Sequence, residues 1–126
     1  ATANALKAGA KADYAVLIAP PVLGWAESHR RQGTDPEVLA RALAIVEKSG
    51  GGELGAFDFA SALAGYDGKL LFIGSDADLG CPLDEIERVA EAVPGARVEG
   101  FNGLDHRDLC LDRGVLAAIL SFLGYA

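Results

Sequence analysis

Two short apolar runs constrain what this chain can become. Residues 14–19 read Tyr-Ala-Val-Leu-Ile-Ala, and residues 70–73 read Leu-Leu-Phe-Ile. Neither run alternates with polar residues. Runs of this length and β-branched content predict strands buried on both faces, as in an interior parallel sheet. Pro20-Pro21 closes the first. Residues 96–101 are different: Val98 points one way, Arg97 and Glu99 the other. That alternation predicts a half-solvated strand at a sheet edge. Helical patterns separate the three runs. The chain therefore predicts an α/β fold, a parallel sheet with flanking helices, right-handed crossovers and the order first, second, edge strand.

The helix signals are local. Residues 1–8 are Ala-rich and Gly9 stops them. Thr34-Asp35-Pro36-Glu37 starts a helix: Thr34 or Asp35 caps it, Pro36 sits in its first turn and Glu37 can complete a capping box. Val38, Leu39, Ala42, Leu43 and Val46 then recur at helical spacing, and Gly50-Gly51-Gly52 ends the helix. Residues 57–64 predict a short helix and residues 65–68 a turn. Residues 82–93 predict a helix with Ile86, Val89, Ala90 and Val93 on one side; residues 115–123 predict a last one carrying Leu116, Ile119, Leu120 and Leu123. Residues 22–33, with Trp25, His29 and Arg30-Arg31, predict irregular structure, and His29 a solvated loop position.

Composition excludes several classes. Apolar residues make up 51% and charged residues 23% of 126, which predicts one globular domain rather than a disordered chain. No apolar run reaches membrane-spanning length, and no signal peptide is visible. The net charge of −7 is spread out, with no basic stripe to meet phosphates, so neither nucleic acid nor membrane is an expected partner. Cys81 and Cys110 make no disulfide framework and no zinc site, and predict free thiols in a reducing, cytoplasmic setting.

Chemistry concentrates after the second and third strands. Asp76 and Asp78 follow one, His106 the other. If the strands are parallel neighbours, these side chains emerge at one edge of the sheet. A carboxylate beside an imidazole is the orienting half of a nucleophile–base–acid constellation. Asp105 is too close in sequence to orient the ring itself. Ser28, Ser49, Ser61, Ser75 and Ser121 all lack a nucleophile-elbow context, and Ser75 reads as a turn hydroxyl.

Here the chain resembles the C-terminal half of an α/β-hydrolase-fold serine hydrolase of the esterase and lipase type. The matching residues are the apolar run 70–73, Gly74, Asp78 and Pro82, then Gly103-Leu104-Asp105-His106 and the closing helix. Val16-Leu-Ile-Ala-Pro-Pro21 looks like the strand before that family's cap. The resemblance implies one segment over 1–126: helix end and strand at 1–21, a cap-like insertion at 22–65, and the acid and histidine loops with the closing helix at 66–126. It implies His106 as general base, Asp78 orienting it, and Trp25 and Phe57 in an acyl pocket. It implies an ester or related carbonyl substrate, with no cofactor and no metal. The stretch from Gly74 to Asp78 is one residue longer than the commonest spacing, so Asp76 stands as the alternative acid. The Gly-x-Ser-x-Gly elbow, the oxyanion-hole loop and the early strands are absent from the sequence. The expectation is that the nucleophile lies outside these residues, on an N-terminal half of the same protein or a second chain, with a homo-oligomer paired through the 15–19 edge as the fallback.

Two other readings use the same residues. One is a non-catalytic hydrolase-fold remnant or interaction module. The other is a magnesium-dependent phosphatase of the haloacid-dehalogenase type, from the Asp76-x-Asp78 pair, although Gly74-Ser75 intervene where that family's aspartate follows the strand directly. A calcium loop is disfavoured because Cys81 occupies its central glycine position.

Overall fold

The centre of the molecule is a strand with no polar face. In a computed structural model, which describes residues 2–50 and 58–125, β2 (Lys69–Ser75) is buried at every position after Lys69. It pairs in parallel with β1 (Tyr14–Ile18) on one side and β3 (Ala96–Phe101) on the other, in the order β1–β2–β3. This is the expected order. Leu71, Phe72 and Ile73 are completely enclosed, and each such burial stabilises by about 1.5–3 kcal/mol relative to exposure. β3 has the mixed exposure expected of an edge.

β1 is apolar on both faces but only partly covered. Ala15 and Leu17 are buried, but Val16 and Ile18 are only half-covered. The reason is position: β1 is the other end of the sheet, and its partly bare side borders a cavity of about 350 Å³. Thr2 and Ala3 of α1 (Thr2–Lys7) and Phe59 complete that cavity.

Among its described residues, the long β1–β2 connection carries three helices. Residues 25–31, expected to be irregular, form α2 (Trp25–Arg31). Its start escapes sequence rules because Gly24, at φ 88°, precedes it with no side-chain cap. Along its length, Glu27 bonds both Arg30 and Arg31. The two guanidinium groups hold the Glu27 carboxyl down to about 2. α3 (Pro36–Lys48) starts as expected, with Asp35 rather than Thr34 as the cap: its Oδ1 accepts from Glu37 N and Val38 N. Only Leu39 of its apolar positions is buried, and Val38 is 58% exposed. α4 (Phe59–Leu63) is capped by Asp58 and sets Phe59 edge-on to Phe72. The expected glycine stop at 50–52 and the expected pocket residue Phe57 fall largely outside the described residues, 51–57 being excluded.

Between β2 and β3 runs α5 (Leu83–Glu91), which buries Ile86 and Ala90. After β3, a 3-10 turn (Asp108–Cys110) leads to α6 (Arg113–Phe122), capped by Asp112. α6 buries Val115 and Phe122, whereas Leu116 and Leu120, read as part of its apolar face, are exposed. Phe122 meets Tyr14 edge-on at 5.6 Å and so ties α6 back to the start of β1.

α5 lies so close on β2 and β3 that two glycines are needed. A Cβ at Gly74 would stand 2.8 Å from Ile86 Cδ1 and 3.1 Å from Leu83 Cδ1; one at Gly100 would stand 2.8 Å from Leu83 Cδ2. Gly74→Ala should therefore lower the unfolding free energy by about 1–3 kcal/mol through overpacking. Chemical denaturation of the two proteins measures this, and an unchanged midpoint would refute the close approach of α5.

Candidate functional site

The loops after β2 and β3 are locked to each other before any side chain reaches the surface. The register places Gly74 beside Gly100 and Ser75 beside Phe101. Asp76 N donates to Phe101 O at 3.1 Å, and Asp76 Oδ1 accepts from Gly103 N at 2.7 Å. Ser75 Oγ, fully buried, accepts from Leu104 N at 3.2 Å and from Ala77 N at 3.3 Å. Ser75 is thus a turn hydroxyl that also bridges the two loops. Asp76, the alternative acid, spends its carboxylate on the histidine loop's backbone.

Asp78 does something else. Its carboxylate is only 2% exposed. Oδ1 accepts from Gly80 N and Cys81 N, both at 3.0 Å, which orients the group. Oδ2 then faces His106 Nδ1 at 2.7 Å, across 28 residues of sequence. An ionised carboxylate only accepts, so Nδ1 carries the proton and Nε2 is left with its lone pair. The His106 side chain is 51% exposed. Asp105, adjacent to it, turns away: its Oδ1 accepts from Arg107 N and Asp108 N. Those backbone donors, with Asp108 N–H foremost, hold the Asp105 carboxyl below its usual range. Leu109, fully buried in the turn that follows, anchors the loop.

Among the described residues, two cavities are lined by His106. One, of about 300 Å³, lies between Gln32, Leu79 and Arg107 with His106 at its wall. The other, of about 270 Å³, lies under α2 and is lined by Trp25, Ser28, His29, Cys81 and His106. Trp25, an expected pocket residue, does reach this space, while Phe57 lies outside the described residues. His29 is not a solvated loop residue. It is half-buried on α2 with its ring 4.4 Å from that of Trp25, because the unanticipated helix puts positions four apart on one face. The Ser28 hydroxyl is buried and makes no hydrogen bond of ordinary geometry among the described residues.

Cys81, three residues past Asp78, is the third side chain at this site. It is buried, and one donor atom from each of Asp78, Cys81 and His106 lies within 4.8 Å of the others. Burial first, then the Asp78 charge, push its thiol up to about 11, against a smaller opposing effect of the Ser28 hydroxyl. The available signal was spacing: Cys81 is three residues past Asp78, inside the turn that Asp78 itself closes. Cys110 is exposed, and both thiols are free.

No protein-family model matches this chain, and no curated protein matches it in sequence. Solved structures do match it in shape. An esterase from Pyrococcus furiosus superposes with a TM-score of 0.66 at 14% identity, over 97% of this chain and 47% of its own. A bromoperoxidase from Bacillus anthracis gives 0.59 at 18%, over 89% and 58%. An alpha/beta hydrolase, GrgF, from Penicillium sp. sh18 gives 0.58 at 15%, over 96% and 58%. The chain spans about half the length of these structures. Identities this low speak for the fold and not for the reaction. The three-stranded parallel sheet and its flanking helices are the C-terminal part of an α/β-hydrolase fold.

Proposed function

We propose that this chain supplies the acid and the general base of a serine hydrolase acting on esters or related carbonyl compounds. The carrying observation is the 2.7 Å contact between buried Asp78 and His106, at the ends of adjacent parallel strands. In this reading His106 Nε2 takes the proton of an attacking serine and returns it to the leaving group. Asp78 keeps the tautomer and stabilises the imidazolium while staying ionised. The separate partners of Asp76 and Asp78 support this reading over a metal-bridged Asp-x-Asp phosphatase.

The serine comes from elsewhere in this reading. Ser28, Ser61 and Ser121 lie within helices, Ser49 ends one, and Ser75 is spent on the loops. Cys81 is a poor substitute, because a thiol held at about 11 offers little thiolate near neutral pH. The partly bare side of β1, with its cavity, suits a further parallel strand bearing the nucleophile. That strand belongs to an N-terminal half of the same protein or to a second chain, and edge pairing between two copies is the fallback. Neither metal nor cofactor takes part in this reading. Among the described residues no helix is long and apolar enough to cross a membrane, and two free thiols suit a reducing cytoplasm.

Two measurements test these statements. In a protein containing this chain together with its nucleophile segment, His106→Ala and Asp78→Asn should each lower kcat for a short-chain p-nitrophenyl ester by about 10³-fold or more. Wild-type turnover by His106→Ala would remove it from the mechanism. Separately, iodoacetamide near neutral pH should label Cys110 and spare Cys81, with Cys81 labelling rising as pH approaches 11. Mass spectrometry of the digest reads both sites; rapid labelling of Cys81 at pH 7 would reinstate it as a candidate nucleophile.

A further inference from the structure

The Asp78, Cys81 and His106 donors are three different ligand types held at one point. Their donor atoms all fall within 4.8 Å of one another. Asp78 and Cys81 come from one tight turn after β2, and His106 from the loop locked to it. Two of the three are set in place by burial. Asp78 and Cys81 are each 2% exposed, and Asp78 Oδ1 is already occupied by two backbone N–H groups, which leaves Oδ2 as its ligand atom. Backbone donors of this kind are the outer support that fixes a metal-binding carboxylate. His106 is half exposed and can turn. The cavity of about 270 Å³ against Cys81 and His106 provides both an entry path and room for a water as fourth ligand.

The geometry points to a site for a borderline divalent cation, Zn²⁺ above all, bound by Asp78 Oδ2, the Cys81 sulfur and a His106 ring nitrogen. Sulfur and imidazole donors select such ions; magnesium and calcium require oxygen shells. A tetrahedral Zn²⁺ with bonds of about 2.0–2.3 Å holds neighbouring ligands roughly 3.3–3.7 Å apart. The donor atoms, all within 4.8 Å of one another, must therefore draw in by up to about 1 Å, and the 2.7 Å Asp78–His106 contact must open. The half-exposed imidazole is the member able to move away from Asp78 Oδ2. The balance is simple. Cys81 releases its thiol proton to solvent, Asp78 and neutral His106 donate lone pairs, and if Nδ1 is the ligand its proton moves to Nε2. Carboxylate and thiolate together offset the two charges of the ion. An ion so placed replaces the proton that links Asp78 to His106, and it silences the pair as an acid–base device. The binding itself does not rest on the hydrolase reading, and its test needs no turnover.

The test is titration of Co²⁺ alone into the reduced protein. One equivalent should give a thiolate-to-cobalt charge-transfer band in the near ultraviolet, bleached by one equivalent of Zn²⁺. Cys110→Ser should leave the band intact and Cys81→Ser should abolish it. His106→Ala, which also removes the 2.7 Å partner of buried Asp78 and so needs its fold verified, should weaken binding by about tenfold or more. Circular dichroism checks the fold of each variant. No band at one equivalent would overturn the site, as would a band that survives Cys81→Ser or disappears in Cys110→Ser. If Cys81→Ser fails to fold, His106→Ala decides: unchanged affinity overturns the site and weakened affinity upholds it.

Discussion

A carboxylate that is almost wholly buried must have its charge answered, or it will not stay charged. Asp78 is answered three times, by the Gly80 and Cys81 N–H groups and by His106. Most of the local architecture can be read as the means of supplying those partners. The turn after β2 curls so that two of its own amides reach Oδ1. The loop after β3 is brought across so that an imidazole reaches Oδ2. Removing His106 would leave one oxygen facing a cavity. Removing either amide would require undoing the turn.

The second partner depends on the sheet. Parallel pairing puts the C-terminal ends of β2 and β3 side by side, and the strands alone bring Asp78 and His106 only into the same neighbourhood. Asp76 and Ser75 do the finer work, each taking an amide of the histidine loop 27 and 29 residues away. Ser75 can serve as a strut because it is enclosed, where a single hydrogen bond is not exchanged for water. Leu109 secures the far end of the loop in the core. The imidazole thus sits on a loop held at both ends, and its exposure reflects access to the site rather than disorder of the chain.

Much of this was legible in the residues. Apolar runs with no polar face marked β2, alternation marked β3, and the Asp-Pro-Glu start marked α3. Those signals are local and survive tertiary context. The apolar run of residues 14–19 has the character of an interior strand, and its partial cover reflects the end position it occupies in the sheet. α2 was missed because its start rests on Gly24 with φ 88° and no capping side chain. With α2 went the placement of His29 and Ser28, since both reach the site only through helical geometry. The order of Asp78 and His106 along the chain was readable, and their separation was not. Asp76 and Asp78 both accept backbone amides, and what separates them is that Asp78 Oδ2 also faces His106. The position of Cys81 three residues past Asp78 places it in the acid loop, and only the folded turn shows how near its sulfur comes to the His106 ring.

The contact between Asp78 and His106 is built without β1. All bonds that position Asp78 and His106 lie between β2, β3 and their loops. None involves β1. The segment after β1 contributes Ala19 and Pro21 to the wall of the cavity under α2, and β1 itself lends its half-covered Val16 and Ile18 to the cavity along its outer side. The work is therefore divided across the sheet. One side organises a charge and a base, held by short-range hydrogen bonds that need no outside help. The other side offers apolar surface whose burial is worth having only when something packs on it. The Asp78–His106 contact therefore does not depend on packing beside β1. The pair also stays open to whatever small electrophile, proton or cation reaches it first.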